Sequence, residues 1–217
     1  MIIDIISDLH GHFPKLEGGD LLIVAGDLTA RDTEEDFLEF HDWFGEQNYK
    51  KRIVIAGNHD VSVEKRLYPG FWNYGDYLQD SATYFEGLKV WGSPWSLTFE
   101  GMNPKCKAFT VDTDEELQEK WDLIPEDIDI LITHMPPYGI LDTVVNPFYP
   151  VEFEHVGSTT LKNMVISDRF KKLKYHIFGH IHECGGKVVK LPTITLINAS
   201  HVNERYEPVN EPIRVIL

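Results

Sequence analysis

The segment IIDIISDLH, residues 2–10, contains the pattern that decides the fold of this chain. Ile2 to Ile6 has the length and isoleucine content of a buried β-strand, and Asp8 and His10 follow where the apolar run stops. Acid, amide or histidine side chains also follow four later runs rich in Ile, Val and Leu: Leu21 to Ala25, Arg52 to Ala56, Ile128 to Thr133 and Tyr175 to Phe178. We therefore expect polar groups from several strand ends to meet at one edge of a sheet.

Helix signals lie between these runs. Thr33 with Asp36 resembles a capping box, and an apolar face follows at helical spacing, made by Phe37, Phe40 and Phe44. Two further helices are predicted, each before a strand, at Asp112 to Trp121 and Ser158 to Lys172. The last third has three strand-like runs, Lys187 to Val189, Thr193 to Ile197 and Ile213 to Leu217. Because no helix lies between these runs, we expect them to pair antiparallel. The order predicts an α/β sandwich.

Length and composition narrow the class of protein. The chain has 217 residues, 42% of them hydrophobic, which suits one compact α/β domain over residues 1–217. Its formal net charge of -15 argues against a broad surface for duplex nucleic acid, which needs clustered Lys and Arg. Small anionic substrates stay compatible with this charge, because metal ions would reverse its sign locally.

Cysteine usage and the first residues predict the compartment. Cys106 and Cys184 match no paired metal-binding or redox spacing, so we expect two reduced thiols in a cytosolic protein. Met1 to His10 has no basic leader, and no run approaches the ~20 apolar residues of a membrane span. We therefore expect a soluble, cytoplasmic protein that does not bind membranes.

The first two polar clusters have the chemistry of metal ligands. Asp8 and His10 are one residue apart, so their side chains point the same way in an extended segment, although a surface turn would also explain them. Asp27 follows Gly26, which allows a sharp turn, and its two oxygens could bridge two ions. A turn or cap is the alternative for Asp27.

The later clusters add neutral ligands. Asn58 could bind a metal through its amide oxygen while His59 stays free to protonate a leaving group, although Gly57 and Asn58 also suit a plain turn. A single buried histidine is usually a satisfied core group. Because a polar cluster follows every strand, a metal site explains the whole set better, including the imidazoles of His134, His180 and His182.

This ordered series resembles the motifs of the calcineurin-like metallophosphoesterase superfamily over residues 1–217. Further segments are most similar to the MPPED-type subgroup: Gly92 to Trp95, Thr133 to Pro137, Phe178 to Glu183, Asn198 to Ser200 and Pro208 to Asn210. The resemblance implies a four-layer α/β/β/α sandwich of two mixed β-sheets flanked by helices, with two divalent metal ions at the strand ends.

The resemblance also implies roles for individual residues. One ion would be held by Asp8, His10, Asp27 and His182, and the other by Asp27, Asn58, His134 and His180. Asp27 would bridge the ions, a metal-bridging hydroxide would be the nucleophile, and His59 would be the general acid. Manganese is expected first, with iron, zinc, cobalt or magnesium as alternatives, since imidazole and oxygen ligands suit such metals better than calcium.

One departure from the family pattern concerns His59. Many members carry an Asp three residues after the bridging Asp and use it to orient the catalytic histidine, but this chain has Ala30 there. Asp60 is a candidate partner by adjacency, and it also has the pattern of a turn or cap residue. The sequence leaves the orienting partner open.

Aromatic and histidine side chains in loops are candidates for the substrate pocket, beside Asn58 and His59. Trp95, Tyr138 and His155 could line it and stack on a base, although ordinary loop packing is the alternative. The long segment Gly139 to Gly157, with two prolines, could form a lid or rim, or an inert surface excursion.

The subgroup resemblance favours hydrolysis of small phosphodiesters, with cyclic nucleotides first. A phosphomonoesterase or a protein phosphatase could use the same site. Two other classes stay open, a non-catalytic metal-binding scaffold and a single-zinc hydrolase of peptides or amides. A scaffold would be expected to lose ligands, whereas all seven positions carry competent side chains, and a single zinc would leave Asn58 without a role.

Overall fold

The computed structural model describes residues 1–67, 72–99, 102–145 and 153–217. The strands in these residues are β1 (Ile2–Ile6), β2 (Gly19–Ala25), β3 (Tyr49–Ile55), β4 (Asp76–Tyr77), β5 (Ser81–Phe85), β6 (Leu88–Ser93), β7 (Ser96–Leu97), β8 (Thr110–Val111), β9 (Ile130–Thr133), β10 (Thr143–Val145), β11 (Phe153–His155), β12 (Tyr175–Phe178), β13 (Lys187–Lys190), β14 (Thr195–Asn198) and β15 (Ile213–Ile216).

The helices are α1 (Glu34–Glu46), α2 (Val61–Glu64), α3 (Asp114–Trp121) and α4 (Thr159–Val165), with short 3₁₀ turns at Pro104–Cys106 and His182–Cys184. In the described ranges, none of these helices has the length and apolar character needed to cross a membrane. Cys106 and Cys184 are both free thiols, as expected.

Two mixed sheets form the centre of the fold. One has the order β15-β1-β2-β3-β4, in which β1 to β4 are parallel and β15 is antiparallel to β1. The other has the order β13-β14-β12-β9-β6-β5, in which β6, β9, β12 and β14 are parallel and the two edge strands are antiparallel. The five apolar runs predicted as strands are therefore confirmed as β1, β2, β3, β9 and β12, with shifts of up to three residues at their ends.

Apolar side chains separate the structure into four layers. Between the two sheets lies a core from both inner faces, which includes Ile3, Leu21, Ile23, Ile130, Ile132 and Ile177. On the outer face of the first sheet, α1 buries Phe37, Phe40 and Phe44, each contributing about 2–3 kcal/mol of apolar burial. On the outer face of the second sheet, α3 and α4 bury side chains that include Leu117, Trp121 and Leu161. The predicted α/β/β/α sandwich is confirmed.

Helix caps explain where the helices begin. The Thr33 hydroxyl accepts the N–H of Asp36 at 3.2 Å, and Thr113 and Glu116 form a full capping box at α3. The helix predicted at Ser158 to Lys172 has Ser158 as its N-cap and begins at Thr159, but it ends at Val165. Ser167 contributes to this end, because its hydroxyl donates to the Met164 carbonyl at 2.7 Å and competes with further helical bonding.

The antiparallel pairing predicted for the last third is only partly right. β13 pairs antiparallel with β14, and β15 with β1, but β14 is parallel to β12. The hairpin folds back so that its second strand, not its first, lies beside β12. This order places the loop after β14, including Ser200, next to the loop after β1 through an isolated bridge between Ser7 and Ser200.

Candidate metal centre

The predicted ligands come together where the parallel strands of both sheets end. Asp8 and His10 follow β1, Asp27 follows β2, and Asn58 follows β3. The second sheet supplies His134 after β9 and His180 and His182 after β12. Because the two sheets pack face to face with these ends on the same side, seven residues spread over the chain form one cluster.

The backbone of this cluster is unusual. Asp8, His10, Asp27 and His180 have left-handed φ angles of 51°, 43°, 53° and 70°. Such angles are uncommon for residues other than glycine and persist where the surroundings enforce them. Here the enforcing bonds run between loops, from the N–H of Asp8 to the Gly26 carbonyl at 2.9 Å and from the N–H of His10 to the Asp27 carbonyl at 3.1 Å. Four of the seven candidate ligands therefore have strained backbone.

One group of ligand atoms is compact. The atoms of Asp8, His10, Asp27 and His182 all lie within 4.8 Å of one another. His182 Nε2 lies 3.2 Å from Asp8 Oδ1, and His10 Nε2 lies 3.6 Å from Asp27 Oδ2. The two imidazole nitrogens, His10 Nε2 and His182 Nε2, face each other at 3.3 Å. Two imidazole nitrogens and two carboxylates at these distances suit a shared cation.

A second group surrounds Asn58. Its Oδ1 lies 3.0 Å from His134 Nε2 and 2.8 Å from His180 Nδ1, while Asp27 Oδ2 lies 3.4 Å from His134 Nε2. The Asn58 amide nitrogen donates to the Cys106 carbonyl at 3.0 Å, which turns its oxygen toward the histidines. The Asp27 carboxylate contacts both groups and thus has the position of a bridge.

Neighbouring groups hold the carboxylates in place. Asp8 Oδ2 accepts the Ser200 hydroxyl at 2.8 Å, and Asp8 also accepts the backbone N–H of His180. Asp27 Oδ1 accepts the N–H of His59 at 2.9 Å. Hydrogen bonds of this kind orient metal ligands and raise affinity. They occupy one side of each carboxylate and leave the other for the centre of the cluster.

Two glycines let the loops approach these carboxylates. A Cβ at Gly179 would lie 2.1 Å from Asp8 Oδ2 and 2.1 Å from the Ser7 hydroxyl oxygen. A Cβ at Gly57 would lie 2.3 Å from Asp27 Oδ1. No other residue fits there without displacing a carboxylate. The glycines of the sequence motifs are therefore explained by close approach.

Both carboxylates are ionised. Burial alone would raise the pKa of Asp8, but the hydrogen bond and charge of His182 outweigh it and hold the pKa below its usual range. Burial likewise opposes ionisation of Asp27, and the charges of His134 and His59 bring its pKa well below the ordinary value. Two negative charges thus lie in a buried cluster, where divalent cations would neutralise them.

The imidazoles fall into two groups. Burial lowers the pKa of His10 to about 4 and that of His180 to about 3, so both are neutral at pH 7 and present lone pairs. Burial also acts to lower the pKa of His134, but the charge and hydrogen bond of Asp27, with the charge of Asp8, raise it to about 9. Metal binding at His134 would therefore displace a proton.

His59 lies beside the cluster. Its Nε2 is 4.0 Å from Asp27 Oδ2, and its ring contacts the His10 ring edge-on at 4.7 Å between centroids. Asp60, a candidate for orienting His59, does not do so. Its buried carboxylate accepts three backbone N–H groups instead, from Gly57 at 2.7 Å and from Asp27 and Leu28 at 3.1 Å. Asp60 supports the loops that hold Asp27 and Asn58.

A cavity of about 930 Å³ opens beside these residues. Its lining consists of the site residues Asp27, Asn58, His59, His180 and His182, the apolar Leu97, Phe99, Met102, Met135, Val144, Val156 and Ile181, the acidic Glu154, Glu183 and Glu204, and Thr98, Asn103, Cys106 and Tyr206. Within the part of the chain that the structure describes, this lining has no Lys or Arg. The cavity is apolar and acidic around the candidate metal ligands.

The three side chains expected in the pocket lie outside this lining. Trp95 packs on Phe109, donates to Asp80 at 2.7 Å and carries the Lys120 ammonium 3.9 Å from its ring centroid. His155 instead binds the buried Asp142 at 2.6 Å.

Tyr138 lies next to His155, with ring centroids 5.5 Å apart. His155 is on β11 between two cavity-lining residues, Glu154 and Val156, so strand alternation turns it to the other face. Ordinary loop packing accounts for Tyr138, His155 and Trp95.

The segment Gly139 to Gly157 contributes to the cavity through β10 and β11, which pair antiparallel. Val144, Glu154 and Val156 from this hairpin are lining residues, as expected for a rim. Its prolines, Pro147 and Pro150, lie outside the described residues.

Tyr206 was missed by the sequence analysis. It lines the cavity, and its ring lies 4.8 Å from His10 and 5.3 Å from His182 between centroids. Burial and then the charge of Asp27 raise the pKa of its phenol, so it is uncharged at pH 7. Tyr206 follows no apolar strand run, so only the tertiary fold brings it to the site.

The sandwich and the Asp, Asn and His cluster at its strand ends define a metal-dependent phosphoesterase class of protein. Consistent with this, residues 1–184 match the family model described as calcineurin-like phosphoesterase. The chain belongs to the calcineurin-like phosphoesterase family, whose reaction is phosphoester hydrolysis.

Known relatives agree with this assignment. The chain is 36% identical to human metallophosphoesterase domain-containing protein 1, over 98% of this chain and 69% of that protein. This similarity confirms the MPPED-type resemblance.

The fold is also similar to two solved structures. One is TT1561 of Thermus thermophilus, with a TM-score of 0.61, 15% identity and coverage of 91% of this chain and 88% of that one. The other is a phosphopantetheinyl hydrolase from Mycobacterium tuberculosis, with a TM-score of 0.59, 15% identity and coverage of 94% and 90%. At this identity the likeness concerns the fold alone.

The residues present fit a dinuclear divalent metal site. Imidazole nitrogens and carboxylate and amide oxygens form two adjacent groups that share Asp27. This donor set suits manganese, iron, zinc or cobalt.

Proposed function

We propose that this protein hydrolyses small monoanionic phosphodiesters, with cyclic nucleotides as the first substrates to test. The observation that carries the proposal is the cavity, which joins the candidate metal centre to a wall with Glu154, Glu183 and Glu204 and, in the described lining, without Lys or Arg.

Charge favours a diester over a monoester. A phosphomonoester carries about two negative charges at neutral pH, and a diester carries one. Carboxylates along the wall repel a second charge, and no guanidinium or ammonium in the described lining compensates it. A protein phosphatase would face the same difficulty, because its phosphoserine or phosphothreonine substrate is a monoester.

The chain's own residues supply binding and proton transfer. Asp8, Asp27 and the neutral ligands would hold two ions, which when bound neutralise the phosphate and activate water. Hydrolysis breaks one P–O ester bond, and the departing alkoxide needs a proton. His59 is next to the ligand cluster and lines the cavity, so we assign it as the donor.

The rival classes lack support of this kind. A single-zinc hydrolase would use the first ligand group and leave the second, around Asn58, His134 and His180, without a purpose. A non-catalytic scaffold has no use for a cavity on the His59 side of the cluster.

The test is a turnover panel on purified protein reconstituted with manganese, and in parallel with iron, zinc, cobalt or magnesium. Substrates are 2',3'- and 3',5'-cyclic nucleotides, a bis-aryl phosphodiester and an aryl phosphomonoester, with chelator-treated protein as control. We expect two metal ions per chain and diesters to be preferred. Activity confined to the monoester contradicts the diesterase assignment, and two bound ions without any turnover favour the scaffold.

A further inference from the structure

The aromatic ring of Tyr206 lines the cavity beside the first ligand group. The Tyr206 ring is nearly perpendicular to the rings of His10 and His182, at 81° and 88°, and contacts both. Its centroid is also 6.2 Å from that of His59. One side chain thus borders two candidate metal ligands and the candidate proton donor.

The local backbone is built to hold this ring. Tyr206 has a left-handed φ of 62°, which is uncommon for a bulky residue. The Asn203 side-chain oxygen accepts the N–H of Arg205 at 2.9 Å and of Glu207 at 3.0 Å, and the Asn203 carbonyl accepts the N–H of Tyr206 at 2.9 Å. A tight turn therefore fixes Tyr206 from both sides.

A second contact ties the turn to the ligand loop. His12 Nε2 lies 3.1 Å from the Tyr206 carbonyl oxygen, and His12 is two residues after the candidate ligand His10. The position of the ring is thus set relative to the metal centre and not only within its own turn.

Core packing does not explain this arrangement, because Tyr206 is 48% exposed. Strained backbone that is held by its surroundings is concentrated at binding sites. Tyr206 lines the cavity, where an aromatic face offers contact area at little conformational cost.

We propose that Tyr206 is a substrate-positioning residue whose ring contacts a planar organic group of the phosphoester while the phosphate lies at the metal centre. This contact keeps the ester oxygen near His59 and makes the site prefer diesters with an aryl or nucleoside group over those with small alkyl groups. The inference rests on the proposed function.

Kinetics provide the first test. For bis(4-nitrophenyl) phosphate we expect Tyr206→Ala to raise KM about tenfold, as for loss of one aromatic stacking contact, with a smaller change in kcat. Tyr206→Phe keeps the ring and should stay within about twofold of the wild type on the same stacking argument. The matched control is Tyr84→Ala, since Tyr84 is an exposed tyrosine on β5 that does not line the cavity.

Binding provides a test that needs no turnover. Methyl(phenyl)phosphinate and dimethylphosphinate are titrated into metal-loaded protein by calorimetry, with metal content measured for each variant. Both carry one negative charge, as a diester does, and neither has an ester bond to hydrolyse. Tyr206→Ala should weaken binding of methyl(phenyl)phosphinate about tenfold, from the same lost stacking contact, and leave binding of dimethylphosphinate unchanged. Asn203→Ala, which loosens the turn, should also weaken binding of methyl(phenyl)phosphinate.

The outcomes separate this inference from the proposed function. If wild-type protein hydrolyses no diester but binds methyl(phenyl)phosphinate in a Tyr206-dependent way, the proposed function fails and the positioning role stands. If Tyr206→Ala affects both ligands equally, or neither, the positioning role is wrong. It is also wrong if Tyr206→Ala and Tyr206→Leu both lose metal, because the ring would then support the ligands, or if the wild type binds no methyl(phenyl)phosphinate.

Discussion

The carboxylate of Asp60 accepts the backbone N–H of Asp27 at 3.1 Å. The same oxygen accepts the N–H of Gly57 at 2.7 Å, so Asp60 joins the loop after β2 to the loop after β3. A residue that carries none of the proposed chemistry therefore sets the distance between the candidate bridge, Asp27, and the Asn58 ligand.

Asp60→Asn should weaken metal binding, because an amide nitrogen would face backbone donors that now bind a carboxylate oxygen. We expect a loss of about 10–100-fold in affinity, as for other groups that orient ligands. The measurement is manganese titration of metal-free protein by calorimetry. Asp129→Asn is the matched control, since Asp129 also accepts a backbone N–H, from Lys89 at 3.0 Å, at the far end of β9. Equal effects of the two substitutions would contradict this role.

His59→Ala should reduce hydrolysis in proportion to how poorly the leaving group departs. A general acid contributes about 10²–10⁴ in rate, and a nitrophenolate needs it least. We therefore expect a loss in that range for diesters with alkoxide leaving groups and a much smaller one for nitrophenyl diesters, with unchanged metal content. The role assigned to His59 is wrong if both kinds of substrate lose equally.

Asp27→Ala should remove metal together with activity, because Asp27 contacts both ligand groups. We expect fewer than two ions per chain by elemental analysis after reconstitution. Asp127→Ala provides the control, since Asp127 pairs with Lys89 at the surface. Retention of two ions by Asp27→Ala would refute the bridging position.

His176 should make the metal-free protein less stable in acid. Burial lowers its pKa to about 3, so the folded protein keeps this imidazole neutral while the unfolded chain takes up a proton below about pH 6.5. This effect of His176 on the free energy of unfolding is absent above pH 6.5. It destabilises the fold increasingly down to pH 3, by about 2 kcal/mol at pH 5.

The variant His176→Leu removes this pH-dependent destabilisation. Its free energy of unfolding in urea should fall less between pH 7 and pH 5 than that of the wild type, whatever its value at pH 7. Because Thr133 donates to the Met135 carbonyl, His176 Nε2 donates to Thr133 and Nδ1 is left without a hydrogen-bond partner among the described residues. Identical pH differences in both proteins would show that His176 is not the cause.

The strands that carry the site could be predicted because they are buried on both faces. Ile2–Ile6 is apolar except for Asp4, Ile130–Thr133 is apolar up to its last residue, and polar residues mark where both runs stop. The hairpin of β5 and β6 went unpredicted because β5 is an edge strand with alternating exposure and no long apolar run.

The site could be predicted only as far as its residues follow strands. Asp8 and His182 could be predicted because they follow apolar strand runs. Tyr206 lines the cavity through a turn that Asn203 stabilises. The role of Asp60 was also hidden, since two of its three backbone partners, Asp27 and Leu28, lie more than thirty positions earlier in the chain. Sequence adjacency suggested His59 instead.

The contact between Asp8 and His182 spans 174 positions, and the one between Asp8 and Ser200 spans 192. During synthesis Asp8 leaves the ribosome long before His182 and Ser200 have been made. Its contacts with these residues can form only after β12 and β14 have packed into the second sheet. Closing such a long loop is slow compared with forming local helices. Capture of the metal ions would therefore be one of the last events in maturation, and a chain interrupted before residue 182 would have no complete first ligand group to hold a metal ion.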